Sequence, residues 1–217
     1  MVRATAVLLS AVAILAFPLS TGAAEAPMQG EAMQGRPEGM AQEDEASVLG
    51  LIQKEHRAVQ EMLRELTQAR EGKVDPDELR KQVEQLKEAL LPHMVAEQKL
   101  FYPALKAQGE ENLPVLEADE EHQMAQVLLI KIQNTPPDDP MFRVRLSILS
   151  DLLTNHIQEE EVILFGRARS EMNQEQLRQM REEFIALEEQ VDPRRILQQA
   201  HQRELDALAQ LTGKQVQ

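Results

Sequence analysis

Apolar residues recur at steps of three and four along most of the chain, beginning just after Ser47. The first stretch places its apolar side chains on one helical stripe, which consists of Val48, Leu51, Ile52, Val59, Met62, Leu63 and Leu66. This spacing is typical of helices that bury one face, and the strict alternation of half-buried strands does not occur. The sequence therefore predicts an all-α fold.

Cap residues and prolines divide this pattern into six predicted helices. Asp75, Asp139 and Asp192 each precede a proline, an arrangement that caps a helix and places proline at its first position. Asn173 can cap the fifth helix through its side chain. We expect helices over about 47–71, 75–109, 114–133, 139–166, 173–189 and 192–213.

The connections between the first four helices are short, so helices that follow each other in sequence should pack in opposite directions. This predicts an antiparallel up-down four-helix bundle over residues 47–172. Two additional C-terminal helices, within an extension over 173–217, would pack outside the bundle or extend away from it. Pro92 lies inside the second helix and removes an amide donor, which predicts a kink or a short break just before His93.

The first residues have the pattern of a secretory signal. Arg3 supplies a positive charge, and the apolar run over 4–17 is shorter than the roughly 20 residues that span a bilayer. Small residues at 22–24 offer a cleavage site. We therefore expect residues 1–24 to be removed and the mature chain to be periplasmic or secreted, without a stable membrane span. An uncleaved membrane anchor is the alternative.

Residues 25–46 are rich in Met, Gln, Gly and Pro and show no apolar periodicity. A segment of that composition cannot bury a core, so we expect a disordered linker. Alternatively, the spaced methionines Met28, Met33 and Met40 could offer thioether ligands to a soft ion such as Cu(I).

The overall charge and the lack of cysteine limit the possible chemistry. The 217 residues include 37 acidic and 23 basic ones, and the formal net charge of −14 repels nucleic-acid phosphates and anionic membrane surfaces. Without cysteine, the chain can form no disulfide, no thiolate zinc site and no cysteine-ligated iron–sulfur cluster. Any bound metal must therefore be held by imidazole and carboxylate groups.

Two histidine–glutamate pairs lie on the apolar stripes of predicted helices. His93 and Glu97 are four residues apart on the second helix, as are His156 and Glu160 on the fourth. Residues four apart share one face of a helix. An ionised carboxylate that faces the core is costly unless a positive charge meets it, and a metal cation would supply that charge.

The two halves of the predicted bundle carry the same pattern. Glu55 and His56 on the first helix are matched by Glu121 and His122 on the third. The His-x-x-x-Glu pairs of the second and fourth helices match in the same way. Two such hairpins, packed about a pseudo-twofold axis, would bring four imidazoles and two carboxylates to the centre of the bundle.

Residues 47–190 resemble the hemerythrin HHE cation-binding domains. The resemblance rests on a histidine in the first helix, His-x-x-x-Glu in the second, a histidine in the third and His-x-x-x-Glu in the fourth. The trailing Phe101-Tyr102-Pro103 is also similar to the family's leucine-phenylalanine-proline. In that family these places bind two non-haem irons. They are occupied here, in order, by His56, His93, Glu97, His122, His156 and Glu160.

One position departs from the family's oxygen carriers. Those proteins have a second histidine four residues after the one on the third helix, and this chain has Gln126 there. The resemblance therefore does not extend to a five-histidine oxygen-carrier site.

The resemblance implies a di-iron centre, in which Glu97 and Glu160 could both bridge the two metals. Each metal would then have two imidazole nitrogens and two carboxylate oxygens, and a bridging oxo or hydroxo group would complete five ligands. One octahedral position would stay open, which suits binding or reducing a diatomic such as oxygen or nitric oxide. Manganese or zinc would also fit these ligands, and iron is preferred because of the resemblance.

We therefore expect a di-iron protein that binds, senses or reduces a small diatomic molecule, or handles iron, outside the cytoplasm. It would be more a binding module than a dedicated enzyme. One alternative is a di-iron peroxidase or nitric oxide reductase, which needs a redox partner that the sequence does not identify. Another is a metal-free periplasmic helical chaperone or stress sensor, in which the histidines could be replaced without effect.

Four further residues were considered for the site. Glu159 and Glu161 flank Glu160 and are expected to be solvated, although either could orient a histidine. Tyr102, the only tyrosine, could approach the site but is expected to pack at a helix end. His201 is expected to lie on the surface of the last helix.

Overall fold

The computed structural model describes residues 45–69, 75–108 and 112–212. The predicted signal peptide (1–24) and the linker methionines lie outside the described residues. All regular secondary structure within the described ranges is helical, with no strand, which confirms the predicted all-α fold. No helix within these ranges is both long enough and apolar enough to cross a membrane.

Eight α-helices and two short π-helical segments make up the described ranges. The α-helices are α1 (Val48–Ala69), α2 (Pro76–Ala96), α3 (Tyr102–Gln108), α4 (Leu113–Gln133), α5 (Pro140–Glu159), α6 (Phe165–Glu171), α7 (Gln174–Glu188) and α8 (Pro193–Thr212). The π-helical segments are π1 (Glu97–Phe101) and π2 (Glu160–Leu164). Because π1 joins α2 to α3 and π2 joins α5 to α6 without a gap, the described chain forms six continuous helical runs, the number predicted.

The predicted helix caps form. The carboxylates of Asp75 and Asp139 each accept a hydrogen bond of 2.8 Å from the backbone amide two residues further on. Asn173 and Gln176 form a reciprocal capping box at the start of α7, with both bonds at 2.9 Å. These side chains satisfy amide donors that have no partner within the helix, and so they fix where each helix begins.

Of the kink or short break predicted just before His93, the break does not occur. Helix α2 continues through Pro92 to Ala96, and the irregularity follows in π1. Proline deprives the carbonyl four residues before it of a hydrogen-bond donor. That carbonyl belongs to Glu88, which is exposed, so water can take the place of the lost donor.

The fourth predicted helix also ends later than expected. The sequence predicted an end near Gly166, whereas α6 continues to Glu171. Glycine disfavours a helix by only about 1 kcal/mol relative to alanine. Burial of Phe165 and Ala168 on the same side of α6 is sufficient to offset that cost.

Helices α1, α2, α4 and α5 surround a common interior. Helix α1 packs against α2 and α5, and α4 packs against α5 and α2. The buried apolar side chains form two clusters. The first cluster includes Val59, Leu63, Leu86, Leu90, Leu129, Leu149 and Leu153. The second cluster includes Ile52, Phe101, Val115, Ala118, Leu164 and Phe165.

A polar layer separates these two clusters. Along α1 and α4 the chain passes from the second cluster to the first, and His56 and His122 lie between them. Along α2 and α5 it passes from the first cluster to the second, and His93 and His156 lie near the change. Each of these four helices therefore contributes one histidine at the same level of the interior.

The two C-terminal helices pack outside these four helices. Helix α7 lies against α1, α2 and π1 and buries Leu177 and Phe184. Helix α8 lies against α4 and α2 and buries Leu197 and Ala200. Of the two arrangements predicted for this extension, packing outside is the one that forms.

Candidate metal centre

The structure brings all six predicted ligands together in the polar layer. They are His56 on α1, His93 on α2, Glu97 at the start of π1, His122 on α4, His156 on α5 and Glu160 at the start of π2. Each is at most 3% exposed. Six polar side chains are thus held in the interior, away from solvent.

The Nε2 atoms of the histidines face the two carboxylates. The Glu97 carboxylate is 3.1 Å from Nε2 of His93 and 3.4 Å from Nε2 of His122. The Glu160 carboxylate is 3.2 Å from Nε2 of His56 and 3.8 Å from Nε2 of His156. Each carboxylate therefore lies between imidazoles from different helices, as a bridging ligand would.

Several buried polar atoms of this cluster make no hydrogen bond of normal geometry with the described residues, although imidazole nitrogens lie close to the two carboxylates. They are both carboxylate oxygens of Glu97, both of Glu160, Nε2 of His56 and Nδ1 of His122. Such atoms are costly in an interior unless a partner or a metal ion compensates them. The ligand atoms of His56, His93 and Glu97 lie within 4.8 Å of one another, as do those of Glu97, His122 and His156. Each of these two groups could therefore hold a metal ion.

The electrostatics of the cluster also favour a cation. Burial and the negative charge of Glu160 raise the pKa of Glu97 above its usual value. Burial acts in the same direction on Glu160, but the imidazoles of His56 and His156 outweigh it and lower the pKa of Glu160 to about 2. Burial and the neighbouring His156 lower the pKa of His122 well below its usual value. Although burial acts in the opposite direction, the neighbouring glutamates raise the pKa values of His56, His93 and His156 above the usual value. Metal binding would therefore displace protons from these imidazoles.

Three further glutamates orient the histidines through Nδ1. Glu55 lies 2.9 Å from Nδ1 of His93, and Glu121 lies 2.8 Å from Nδ1 of His156. Glu161 lies 3.0 Å from Nδ1 of His56, so it takes the orienting role considered for it. A carboxylate at Nδ1 fixes the tautomer that leaves Nε2 free to face a metal.

Glu55 and Glu121 were not assigned a role from the sequence, although the signal was present. Each directly precedes a ligand histidine, and the two Glu-His pairs occupy equivalent places in the two hairpins. Each carboxylate, however, orients the histidine of the next helix along the chain and not its own neighbour. Only the packing of the helices reveals that exchange of partners.

Both π-helical segments begin at a ligand glutamate. In π1 the amide of Tyr102 donates to the carbonyl of Glu97, five residues earlier, and in π2 Phe165 donates to Glu160 in the same way. The residue five positions on therefore comes to lie over the ligand. As a result, Tyr102 stacks on His122 with ring centroids 5.5 Å apart, and Phe165 stacks on His56 at 6.3 Å.

Tyr102 lies closer to the site than predicted. Its hydroxyl is 3.3 Å from Nε2 of His122, and the side chain is 1% exposed. Burial and the charges of Glu160 and Glu97 raise the pKa of Tyr102 well above its usual value, so the phenol keeps its proton. The expectation of packing at a helix end is therefore incomplete, because Tyr102 also presents a hydrogen-bond donor to the centre.

Helix α7 covers the side of the centre that contains His93. The ring of Phe184 meets that of His93 edge-on, with centroids 6.1 Å apart. Glu188, at the end of α7, approaches both Glu55 and His93, since the ligand atoms of the three side chains lie within 4.8 Å of one another. No sequence motif indicated that α7 would reach the site.

The remaining residues considered from the sequence lie away from the ligand atoms or at the surface. Gln126 is buried, and its Oε1 accepts a hydrogen bond of 2.7 Å from Arg203 on α8. His201 is exposed and lines a groove of about 460 Å³ with Lys87 and Arg194. Glu159 is exposed, as expected.

Two small cavities adjoin the centre. One, of about 10 Å³, is bounded by the four ligand histidines and by Val59, Leu90, Met94, Leu153 and Ile157. The other, of about 20 Å³, is a cleft between α4 and the junction of α5 with π2. Both are comparable in size to one or two water molecules.

Comparison with known proteins points to one family. Residues 47–168 match the hemerythrin HHE cation binding domain. A protein of Nostoc sp. named DNA nickase is 29% identical over 149 residues, which are 68% of this chain and 41% of that protein. The chain thus spans less than half the length of this relative.

A solved structure shows the same fold. It is the crystal structure of a hemerythrin HHE cation binding domain-containing protein from Mycobacterium kansasii, with a TM-score of 0.56 and 22% sequence identity. The similarity covers 65% of this chain and 84% of that one. The family match extends over more than half of the chain, from before α1 into α6, and includes all six residues of the candidate centre. The chain therefore belongs to the hemerythrin HHE cation binding domain family.

Proposed function

We propose that this chain is a non-haem di-iron protein that binds, senses or reduces oxygen or nitric oxide, or handles iron, outside the cytoplasm. The observation that carries the proposal is the burial of the Glu97 and Glu160 carboxylates among four imidazoles, where none of their oxygens makes a hydrogen bond of normal geometry with the described residues. The six residues that would hold the irons are His56, His93, Glu97, His122, His156 and Glu160. Bound iron would supply electrons and an open coordination position for a small ligand.

We propose that α1, α2, α4 and α5 form the antiparallel up-down four-helix bundle around this centre. Two observations support that arrangement. Each of the four helices packs against two of the others, in a closed ring. Helices α1 and α4 also run from the second apolar cluster to the first, whereas α2 and α5 run from the first to the second. This order is expected when neighbouring helices run in opposite directions.

The surroundings of the centre support a ligand of very few atoms. The cavity between the four histidines has a volume of about 10 Å³, and its other walls are apolar. A larger substrate would have to displace buried side chains such as Leu90 and Leu153. The Tyr102 hydroxyl, which remains protonated, could donate a hydrogen bond to a small ligand near His122.

We propose that the chain acts in the periplasm or is secreted, and the support for this is the sequence pattern of residues 1–24. Reduction of a diatomic would also need a redox partner. A reductase would turn over with a chemical reductant, whereas a binding protein would not. A turnover assay with such a reductant therefore separates the two.

Our proposal does not extend DNA nicking, the activity named for the Nostoc relative, to this chain. The formal net charge of −14 disfavours approach to a phosphate backbone. The two cavities beside the centre, at about 10 and 20 Å³, are also far too small to admit a phosphodiester.

The test is to purify the protein anaerobically, measure metal per chain and record the visible spectrum after oxidation. We expect about two irons per chain and the absorption of an oxo-bridged iron pair. Substitution of manganese or zinc would be recognised in the same metal analysis. A chain that folds without any transition metal and does not take up ferrous iron would refute the proposal and favour the metal-free chaperone or stress sensor.

A further inference from the structure

A narrow cleft connects one side of the candidate centre with the surface. It lies between α4 and the junction of α5 with π2, and its volume is about 20 Å³. The polar residues that line it are Glu117, Glu121, His156, Glu159 and Glu160. Two of these, His156 and Glu160, are proposed metal ligands, so the cleft ends at the centre.

The carboxylates of the cleft become progressively more buried toward the centre. Glu117 and Glu159 are exposed at the mouth, and Glu121 is 22% exposed and bonded to His156. Glu160 is buried at the inner end, where its Oε2 lies 3.2 Å from Nε2 of His56 and its Oε1 has no hydrogen-bond partner among the described residues. A cation that moved inward would therefore meet oxygen ligands at each depth, which hard divalent ions require when they lose water.

Four carboxylates line the cleft, and His156 is the one other ionisable side chain among the residues that line it. None of the residues that line it is a lysine or an arginine. Carboxylates in a cleft with low-dielectric walls concentrate cations and speed their arrival, and this effect weakens as salt is added. The same charges would repel an anion, so the cleft suits a divalent cation.

The internal repeat shows that the carboxylates at the mouth of the cleft occur only in the second of the two repeated hairpins. Glu117 precedes Glu121 by four residues, and the equivalent position before Glu55 is Leu51. Glu159 directly precedes Glu160, whereas Ala96 directly precedes Glu97. Leu51 and Ala96 are both buried.

A helix covers the opposite side of the centre. Helix α7 packs there against α1, α2 and π1, and Phe184 is fully buried against His93. Beside His156, by contrast, an opening coincides with the exposed carboxylates of Glu117 and Glu159.

From these observations we propose that the cleft lined by Glu117, Glu121 and Glu159 is the access route by which a divalent cation reaches the centre. This inference rests on the proposed metal binding. Glu117 and Glu159 attract the hydrated ion at the mouth, and Glu160 receives it at the inner end. Glu117 and Glu159 are positioning residues for uptake and take no part in the finished centre.

The test compares the rates at which metal-free full-length chains take up ferrous iron under anaerobic conditions. The cleft variant is Glu117→Gln/Glu159→Gln, which removes the charges at the mouth but keeps the side-chain size. The matched control is Glu65→Gln/Glu88→Gln, which removes two exposed acids of α1 and α2. Bound iron is followed over time after a chelator quench, at low and at high ionic strength.

We expect the cleft variant to take up iron several-fold more slowly than the control at low ionic strength. Final iron per chain should be equal in both, and added salt should reduce the difference between them. Equal uptake rates in the two variants would overturn the access route while leaving the metal centre intact. A lower final iron content in the cleft variant alone would also overturn it, because these residues would then belong to the binding site. Failure of the wild type to bind iron would refute the proposed function itself.

Discussion

The glutamates around the centre differ in burial and in the atom that they face. Glu97 and Glu160 are buried opposite Nε2 atoms, whereas Glu55, Glu121 and Glu161 are 22–27% exposed and face Nδ1 atoms. A carboxylate with an exposed edge can stay ionised at little cost, because water solvates part of it. Exposure therefore separates the glutamates that orient histidines from those that need a cation.

Removal of an orienting carboxylate should weaken metal binding. We expect Glu121→Ala to lower metal affinity about 10- to 100-fold, because His156 loses the acceptor that fixes its ring. Competition with a chelator of known affinity measures the change. Glu120→Ala, at the exposed neighbouring position, is the matched control and should bind as the wild type does. Unchanged affinity in Glu121→Ala would contradict the role given to this residue.

Glu188 predicts a pH dependence of stability in the metal-free protein. Burial and the negative charge of Glu55 raise the pKa of Glu188 from 4.5 to about 7. The folded chain then holds this proton more tightly than the unfolded chain does. The resulting stabilisation is fully present below pH 4.5 and is lost as the pH rises to about 7.

The unfolding free energy should decrease between pH 4.5 and about 7 because Glu188 ionises. We expect Glu188→Gln to remove this contribution, because glutamine does not ionise. Urea unfolding at a series of pH values on both sides of pH 7 measures the slope. Glu189→Gln, at the exposed neighbouring position, should keep the slope of the wild type. The same slope in both variants would show that another group is responsible.

At the scale of the helices, the π segments explain why the ligands could be predicted and the aromatic contacts could not. In an α-helix, Phe101 would share the face of Glu97, because residues four apart do so. In π1 the hydrogen bond spans five residues, so Tyr102 takes that place. The extra residue hardly disturbs the apolar pattern, because Phe101 and Tyr102 are both buried. Hydrophobic spacing alone therefore gives no sign of the change.

Helix α7 should contribute directly to the stability of the fold. Phe184 is fully buried between this helix and His93. We expect Phe184→Ala to lower the free energy of unfolding by about 3 kcal/mol or more, through the lost burial and the cavity left behind. Urea denaturation measures the loss. Ile185→Ala, at a position that is 38% exposed, should cost much less, and similar losses in both variants would contradict the packing described.

At the scale of the whole molecule, the duplicated hairpin is what allowed the sequence to predict that the six residues meet. A single His-x-x-x-Glu pair has little weight in so acidic a chain, but two pairs and two Glu-His steps at equal offsets restrict where the helices can meet. The contacts of Glu161 and of α7 with the centre could not be predicted in this way. Glu161 meets His56 across 105 residues of sequence, and α7 lies outside the repeat.

Loss of a ligand should affect the whole fold and not only the site. We expect His93→Ala and His156→Ala to lose metal and to melt at a lower temperature, because a cation that binds only the folded chain stabilises it. Metal analysis and thermal denaturation with and without a chelator measure both effects. His201→Ala, at an exposed position, is the control and should match the wild type. Full metal content in both ligand variants would exclude the proposed site.

The polar layer between the two apolar clusters has a consequence for how the chain opens. Without cations, the unpartnered groups of that layer compete for water, so amide hydrogens near His122 and His156 should exchange with solvent sooner than those near Leu129 or Phe165. Bound cations would join four separate helices at this level, and the order of exchange would reverse. The least protected part of the interior would then become its most protected part, so that amide exchange distinguishes the loaded from the empty protein.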